Sequence, residues 1–282
     1  MTTPELSSAD PARSERAVQV VAHRGSSEAL PEHTLAAYRR ALAEGADALE
    51  CDVRLTRDGQ LVCVHDRTIA RVSDGGRRVV SALTLAELEA YDFGSWKPGG
   101  DDTERADPER RSVLRLESLL ELVADCGRRV DLAIETKHPV RYRGRVEAEL
   151  LKALERFGVK GAAAGDEGDP DRPHARLMSF SGVALGRLRD AAPEFPRVYL
   201  FERSLPLRLW PGAGLPAAAA IAGPGIELVR RQPELVTRLR AAGHRVHVWT
   251  VDRPEDVELC LELGVEAIIT NRPRAVLDRL GR

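Results

Sequence analysis

The chain has 282 residues, of which 43% are hydrophobic and 30% are charged, and its formal net charge at pH 7 is −2. This length can bury a large core and is typical of one large globular domain or two smaller ones. The charges are mixed along the sequence without a polybasic block, which argues against nucleic acid or an anionic membrane surface as the main partner.

Residues 1–17 are polar and lack the apolar centre of a signal peptide, so we predict a disordered leader there. No segment approaches the roughly 18 uninterrupted apolar residues of a membrane helix. The four cysteines do not show the paired spacing of a metal site, and a disulfide framework is not expected in a chain of this size. We therefore expect reduced thiols, a cytoplasmic location and no stable membrane association.

From residue 18 onward, short apolar segments alternate with segments of helical periodicity. The predicted strands are residues 18–23, 48–55, 130–137, 176–181, 197–201, 217–223, 245–251 and 266–270. In the first predicted helix, Leu35, Tyr38 and Leu42 share one face, with Thr34 as N-cap and Gly45 as the stop. Five later helices are predicted at residues 117–127, 144–158, 181–193, 233–243 and 254–264. Eight apolar strands separated by helices predict a parallel sheet closed into a (β/α)8 TIM barrel over residues 18–282.

One apolar segment, residues 61–66, does not fit this alternation. It follows the second strand after only four residues, too few for a crossover to a parallel neighbour, and Asp58-Gly59 favours a tight hairpin. The returning chain would place His65 near the end of the second strand. Residues 67–115 then form an insertion with a short helix at 84–91. Such an insertion usually shapes the substrate site, although a decorative surface loop is the alternative.

Acidic residues occur at the strand ends, where barrel enzymes carry out their chemistry. Glu50 and Asp52 are two residues apart on one strand and so share a face, and Glu135 lies near the end of the third barrel strand. Each acid alone could form a buried salt bridge with an arginine. Together, without cysteine or clustered histidine, they predict a site for a hard divalent cation, Mg²⁺ or Ca²⁺.

Two histidines complete the predicted site. His23 ends the first strand and His65 ends the hairpin, and a pair of histidines beside a metal suits proton transfer on both sides of a phosphoryl group. Arg24 is a bidentate phosphate donor, and Lys137, one of only four lysines, adds a compact cation. Four other histidines are expected on the surface (His138, His174, His244) or as filling of the barrel interior (His247).

Six motifs occur in order: HRG with PEHT, then ECD, VHD, IETK, VWTVD and IITNRP. Together they resemble the glycerophosphodiester phosphodiesterases, and the match runs from about residue 18 to 274. The resemblance implies a metal-dependent hydrolase on a TIM barrel that cuts small-molecule glycerophosphodiesters, such as glycerophosphocholine, into glycerol phosphate and an alcohol. It implies that His23 and His65 act as the acid and the base, without saying which is which. It also implies that the metal is bound by Glu50, Asp52 and Glu135 and the phosphate by Arg24 and Lys137. Trp249 would form a wall of the substrate pocket, and Glu32 would support the metal or His23.

The sequence departs from the family pattern in two places. His33 stands where the family usually has asparagine, and the insertion lacks the usual Pro-Thr-Leu before its exit helix. Both departures bear on substrate choice more than on activity. Two alternatives remain open. A lysophospholipase D-like enzyme acting on lipid should show an apolar lip or amphipathic membrane helix, and a non-catalytic glycerophosphodiester-binding barrel should have lost a histidine or a metal ligand.

Overall fold

A computed structural model describes residues 18–99, 102–161, 174–203 and 214–282. The predicted leader, residues 1–17, lies outside the described residues. Within them, eight parallel strands lie side by side and close on themselves, because the first barrel strand pairs with both the second and the last. The predicted (β/α)8 barrel is confirmed.

The strands closely follow the predicted segments. In chain order they are β1 (Gln19–His23), β2 (Ala48–Leu55), β3 (Leu61–Cys63), β4 (Asp131–Thr136), β5 (Lys160–Gly161), β6 (His174–Ser179), β7 (Arg197–Phe201), β8 (Ile221–Pro224), β9 (Arg245–Val248) and β10 (Ala267–Thr270). The hairpin is confirmed, because β3 pairs antiparallel with β2. Short β5 pairs with β6, and the other eight strands form the barrel.

The helices, in chain order, are α1 (Leu35–Ala43), α2 (Leu85–Glu89), α3 (Asp102–Ala106), α4 (Pro108–Arg111), α5 (Leu116–Ala124), α6 (Arg145–Arg156), α7 (Gly182–Ala191), α8 (Ile226–Arg231), α9 (Glu234–Ala241), α10 (Pro254–Glu262) and α11 (Pro273–Arg279). Helices α2, α3 and α4 belong to the insertion, and the other helices follow the barrel strands and cover the outside of the barrel. As predicted, the Thr34 side chain accepts a hydrogen bond from the main-chain N–H of Ala37 at the start of α1. Gly45 then ends this unit with a φ of 92°, which glycine adopts without steric cost.

Strand β6 starts two residues earlier than predicted and corrects one assignment. His174 was expected on the surface, but it is the first residue of β6 and is buried. Its main-chain N–H donates to the Asp131 side chain, and Arg129 contacts its ring. The loop assignment was wrong because the apolar pattern of this strand begins only after residue 175. The polar contacts with Asp131 and Arg129 allow the His174 side chain to be buried at the start of the strand.

The barrel interior mixes small and large side chains. Ala133 and Ala267 belong to the apolar cluster inside the barrel, and they pair with Arg176 and His247 on the neighbouring strands. The small alanines therefore leave room for two long polar side chains. Burial, with the nearby charge of Arg176, holds the pKa of His247 well below its ordinary value. The prediction that His247 fills the barrel interior is consistent with this position.

The segment between β3 and α5 has an apolar cluster of its own. Ile69, Val80, Leu88 and Phe93 are buried together there. Helix α2 begins with a capping box in which the Thr84 and Glu87 side chains bond to each other's main-chain N–H groups. This segment is therefore a small packed layer on the barrel.

Two findings bear on the expectations drawn from composition. All four cysteines are free thiols. No helix in the described part of the chain is long and apolar enough to cross a membrane.

Candidate active site

The carboxyl ends of adjacent strands bring the predicted acids and His23 together. In the parallel register, His23 of β1 is paired with Glu50 of β2, and Asp52 of β2 is paired with Glu135 of β4. The hairpin returns beside them, since the main-chain N–H of Val64 donates to the Asp52 carbonyl at 3.0 Å. The predicted residues therefore lie on one rim of the barrel.

Glu50, Asp52 and Glu135 form a buried acidic cluster. One carboxylate oxygen from each lies within 4.8 Å of the others. Burial, together with the neighbouring charge of Asp52, raises the pKa values of Glu50 and Glu135 above the ordinary range. Their ionised forms are therefore disfavoured, and a bound cation would stabilise them. Three carboxylate oxygens at this spacing fit a hard divalent ion.

Two side chains already bring positive charge to this cluster. The Lys137 Nζ atom lies 2.8 Å from Glu135 Oε1 and 3.3 Å from Asp52 Oδ1. Arg24 Nε lies 3.0 Å from Asp52 Oδ2. Although burial alone would raise the pKa of Asp52, Lys137 and Arg24 hold it well below its ordinary value. A phosphate group entering the cluster would meet both cations.

Glu32 contacts Arg24 rather than His23. Its Oε1 atom accepts a hydrogen bond from Arg24 Nη1 at 3.0 Å. Both of its oxygens also accept from Arg71 of the insertion, at 2.6 and 2.8 Å. Glu32 therefore orients Arg24, and its expected support for the metal or for His23 stays a prediction. Nothing in the sequence signalled Arg71, which lies 39 residues away in the chain.

His23 is held through one ring nitrogen. Its Nδ1 lies 2.7 Å from Asn271 Oδ1, and Asn271 Nδ2 donates to Asp252 Oδ2 at 2.6 Å. Because that second bond orients the amide, the network assigns the proton to His23 Nδ1 and the free lone pair to Nε2. Burial and the nearby Arg24 lower the pKa of His23 to about 3, so the ring is neutral at neutral pH.

Asp252 and Asn271 belong to the motifs VWTVD and IITNRP, but their roles were not predicted from the sequence. A signal was available, because Asn271 directly follows β10 and the preceding Thr270 pairs with Ala22. That register places Asn271 level with His23. It depends on barrel closure, which pairs the first strand with the last.

His65 lies at the other side of the rim and is one-third exposed. Its Nδ1 lies 2.7 Å from Asp66 Oδ1, and Asp66 Oδ2 accepts from Arg71 Nε at 2.8 Å. Burial, followed by the charges of Arg24 and Lys137, lowers the pKa of His65. A bound phosphodiester anion would favour the protonated ring.

An aromatic pair forms one wall of the rim. The Trp249 indole N–H donates to the Gly223 carbonyl at 2.8 Å, and its ring meets Phe180 edge-to-face with centroids 5.4 Å apart. Phe180 is 40% exposed, and Lys137 Nζ lies 5.8 Å from the centre of its ring. Trp249 was predicted as a wall. The sequence assigned no role to Phe180, although it lies near the end of the predicted strand at residues 176–181.

His33 is buried under the acidic cluster. Its Nε2 lies 2.9 Å from Asp52 Oδ2 and its Nδ1 lies 2.8 Å from the Tyr38 hydroxyl. The Tyr38 O–H donates in turn to the Glu50 carbonyl at 2.9 Å. The residue that departs from the family pattern therefore contacts the side chain of one predicted metal ligand and, through Tyr38, the backbone of another.

Comparison with known proteins places these features in a family. A family model described as the glycerophosphoryl diester phosphodiesterase family matches residues 23–275. A Mycobacterium tuberculosis protein named "Probable glycerophosphodiester phosphodiesterase 1" is 46% identical over 90% of this chain and 89% of its own length. A glycerophosphodiester phosphodiesterase from Caldanaerobacter subterraneus subsp. tengcongensis is 32% identical over 92% and 96%. An Oleispira antarctica phosphodiesterase, solved with sn-glycerol-3-phosphate, shares the fold with a TM-score of 0.76 at 24% identity, covering 94% and 97%.

Proposed function

The chain belongs to the glycerophosphoryl diester phosphodiesterase family, and from this premise we propose that it hydrolyses glycerophosphodiesters with one divalent cation and two histidines. The observation that carries the proposal is the position of His23, whose Nδ1 is held by Asn271 and which is in register with Glu50 of the acidic cluster. The family assignment makes the chain a phosphodiesterase. The roles of its individual residues are the proposal.

In the proposed reaction, His23 Nε2 accepts a proton from the nucleophile, which is water or the substrate's own glycerol hydroxyl. The new oxygen–phosphorus bond forms as the bond from phosphorus to the departing alcohol breaks, and His65 donates a proton to that alcohol's oxygen. Direct attack by water leaves glycerol phosphate and the alcohol. Attack by the glycerol hydroxyl gives a cyclic phosphodiester first, and water then opens it to the same glycerol phosphate.

The remaining residues would bind and orient the diester. Glu50, Asp52 and Glu135 would hold Mg²⁺ or Ca²⁺, which when bound would offset negative charge on the phosphoryl group. Arg24 and Lys137 would bind the phosphate oxygens, with Arg24 directed by Glu32. Trp249 and Phe180 would pack against the carbon atoms of the glycerol. The small-molecule partner and the cytoplasmic location stay predictions.

The two histidines can be separated by the leaving group. A choline-like alkoxide is a poor leaving group and needs a proton, whereas nitrophenolate departs without one. We therefore expect His65→Ala to lose roughly 10²- to 10⁴-fold in rate on glycerophosphocholine and far less on a nitrophenyl phosphodiester. His23→Ala should lose rate on both. Initial rates, metal content and circular dichroism are measured for each variant.

Two outcomes would contradict the assignment. A selective loss in His23→Ala would reverse the roles, and equal losses on both substrates with unchanged metal content would remove the separate acid and base. A lysophospholipid is tested in parallel as a substrate. If it is hydrolysed in preference to glycerophosphocholine, the lysophospholipase D-like alternative is favoured.

A further inference from the structure

A cavity of about 530 Å³ lies between the insertion and the loop that follows β4. Val79 and Val80 of the insertion line one side, and Val140 and Tyr142 of the loop line the other. The Tyr142 hydroxyl donates to the Ser81 carbonyl at 3.0 Å and so joins the two sides. The volume falls within the roughly 300–1,000 Å³ typical of small-molecule sites.

Three arginines line this cavity, and each follows an active-site residue closely in the chain. Arg54 comes two residues after Asp52, and Arg67 comes two residues after His65. Arg141 is in the loop that begins at Lys137. The Arg54 guanidinium also donates to the His65 carbonyl, from Nε at 3.0 Å and from Nη2 at 2.7 Å. The cavity therefore adjoins the side of the rim where His65 would protonate the departing alcohol.

Two of the three arginines in this cavity have no carboxylate partner among the described residues. None of its twelve lining residues is acidic. The guanidinium groups of Arg67 and Arg141 make no hydrogen bond or ion pair with a described residue, although Arg141 lies 5.6 Å from the centre of the Tyr142 ring. Other exposed arginines do have carboxylate partners, as Arg39 does with Glu109 at 2.8 Å.

We propose that this arginine cavity binds the far end of a leaving alcohol that carries a phosphate or a carboxylate. Guanidinium groups recognise such anions through paired N–H donors. A choline-like cation would find no carboxylate there, and the Tyr142 ring already faces the guanidinium groups of Arg141 and Arg145. The inference rests on the proposed function and adds to it a preference for anionic head groups.

The test compares diesters that differ at the leaving alcohol. The substrates are glycerophosphoglycerol, its derivative with a phosphate on the leaving glycerol, a glycerophosphodiester of glycerate, and glycerophosphocholine. Arg67→Gln, Arg141→Gln and the double variant are compared with Arg143→Gln, which alters an arginine of the same loop outside the cavity lining. Arg54 is left unchanged because it supports the His65 backbone.

We expect the natural chain to have the highest kcat/KM on an anionic diester. Each cavity substitution should lower that value by about tenfold, the size of a partly exposed charged hydrogen bond, with a smaller loss on glycerophosphocholine. Comparison of the phosphate-bearing diester with the glycerate diester shows which anion is preferred. Arg143→Gln should keep the natural order of substrates.

Different failures have different meanings. If glycerophosphocholine is hydrolysed but the cavity variants keep the natural ratio between anionic and cationic substrates, the arginine cavity is not a head-group site and the proposed function stands. If the natural chain hydrolyses no glycerophosphodiester in the presence of Mg²⁺ or Ca²⁺, the proposed function falls, and this inference falls with it.

Discussion

A single residue, His33, occupies a backbone conformation that usually favours another side chain. Its φ is 59°, in the left-handed region that asparagine adopts more readily than most residues. This gives a physical reason for the asparagine that the family usually has at this position. The histidine ring has a compensating advantage, because it reaches Asp52 and the Tyr38 hydroxyl at the same time.

We predict that His33 positions Asp52 for cation binding. His33→Leu removes a buried hydrogen-bond donor and should weaken Mg²⁺ or Ca²⁺ binding by roughly 10- to 100-fold, as is typical of residues that orient metal ligands. The His33→Asn variant should bind the cation more tightly than His33→Leu, because the asparagine amide can donate to Asp52 and asparagine readily adopts the left-handed backbone conformation. The Kd of the cation is measured by calorimetry for the natural chain and both variants, and circular dichroism checks that each variant is folded. Equal affinity in all three proteins would show that His33 does not position Asp52.

Among the elements, the insertion contributes most to the site beyond the strand ends. It supplies Arg71 to Glu32, and Lys97 donates to the Ser27 carbonyl at 2.7 Å in the loop after β1. Within the insertion, Asp92 accepts hydrogen bonds from the main-chain N–H groups of Gly94 and Ser95 and pairs with Arg111. The insertion is thus packed against the rim that it helps to shape.

Gly94 offers a test of that packing. A Cβ atom there would lie 2.4 Å from the Arg110 carbonyl oxygen, so Gly94→Ala requires the backbone to move. We expect this variant to lose about 1–3 kcal/mol of stability, with faster hydrogen exchange in the insertion. Gly186→Ala, in α7 with open space around it, should instead stabilise the protein by about 0.5–1 kcal/mol. Unchanged exchange in Gly94→Ala would mean that the insertion is loosely packed.

At the scale of the whole molecule, closure of the barrel concentrates charge at one rim. Three acids and the cations Arg24 and Lys137 lie there in buried or half-buried positions. Such an arrangement is costly unless the charges are paired. A bound divalent cation would add to the pairing in the folded state alone, because unfolding separates the three ligands along the chain.

We therefore predict that Mg²⁺ or Ca²⁺ raises both activity and thermal stability. A cation at 100 times its Kd should contribute about 2.7 kcal/mol to the free energy of unfolding, measured as a rise in Tm. Excess EDTA should abolish turnover of glycerophosphocholine and reverse the rise. Glu135→Gln should show a much smaller rise in Tm, whereas Glu109→Gln, at a half-buried position in α4 outside the acidic cluster, should show the same metal-dependent rise as the natural chain. Full activity in excess EDTA would overturn the metal assignment.

The sequence alone determined the barrel strands, the hairpin and the residues at the strand ends. These follow from local patterns, because apolar runs and their spacing define a strand and its length, and Glu50 and Asp52 share a face through the period of two residues along β2. The carboxyl ends of parallel strands then meet on one rim, so the acidic cluster could be predicted from β2 and β4 without coordinates.

Only the tertiary structure decided which side chains hold the predicted ones in place. Asn271 lies 248 residues from His23, and Arg71 reaches Glu32 from a separately packed insertion. The arginine cavity likewise needs the insertion and the loop after β4 to lie side by side. Periodicity indicates the face on which a side chain lies, but its partner depends on barrel closure and loop packing. Those contacts join segments distant in the chain, so a local pattern does not reveal them until strand register and loop packing are known.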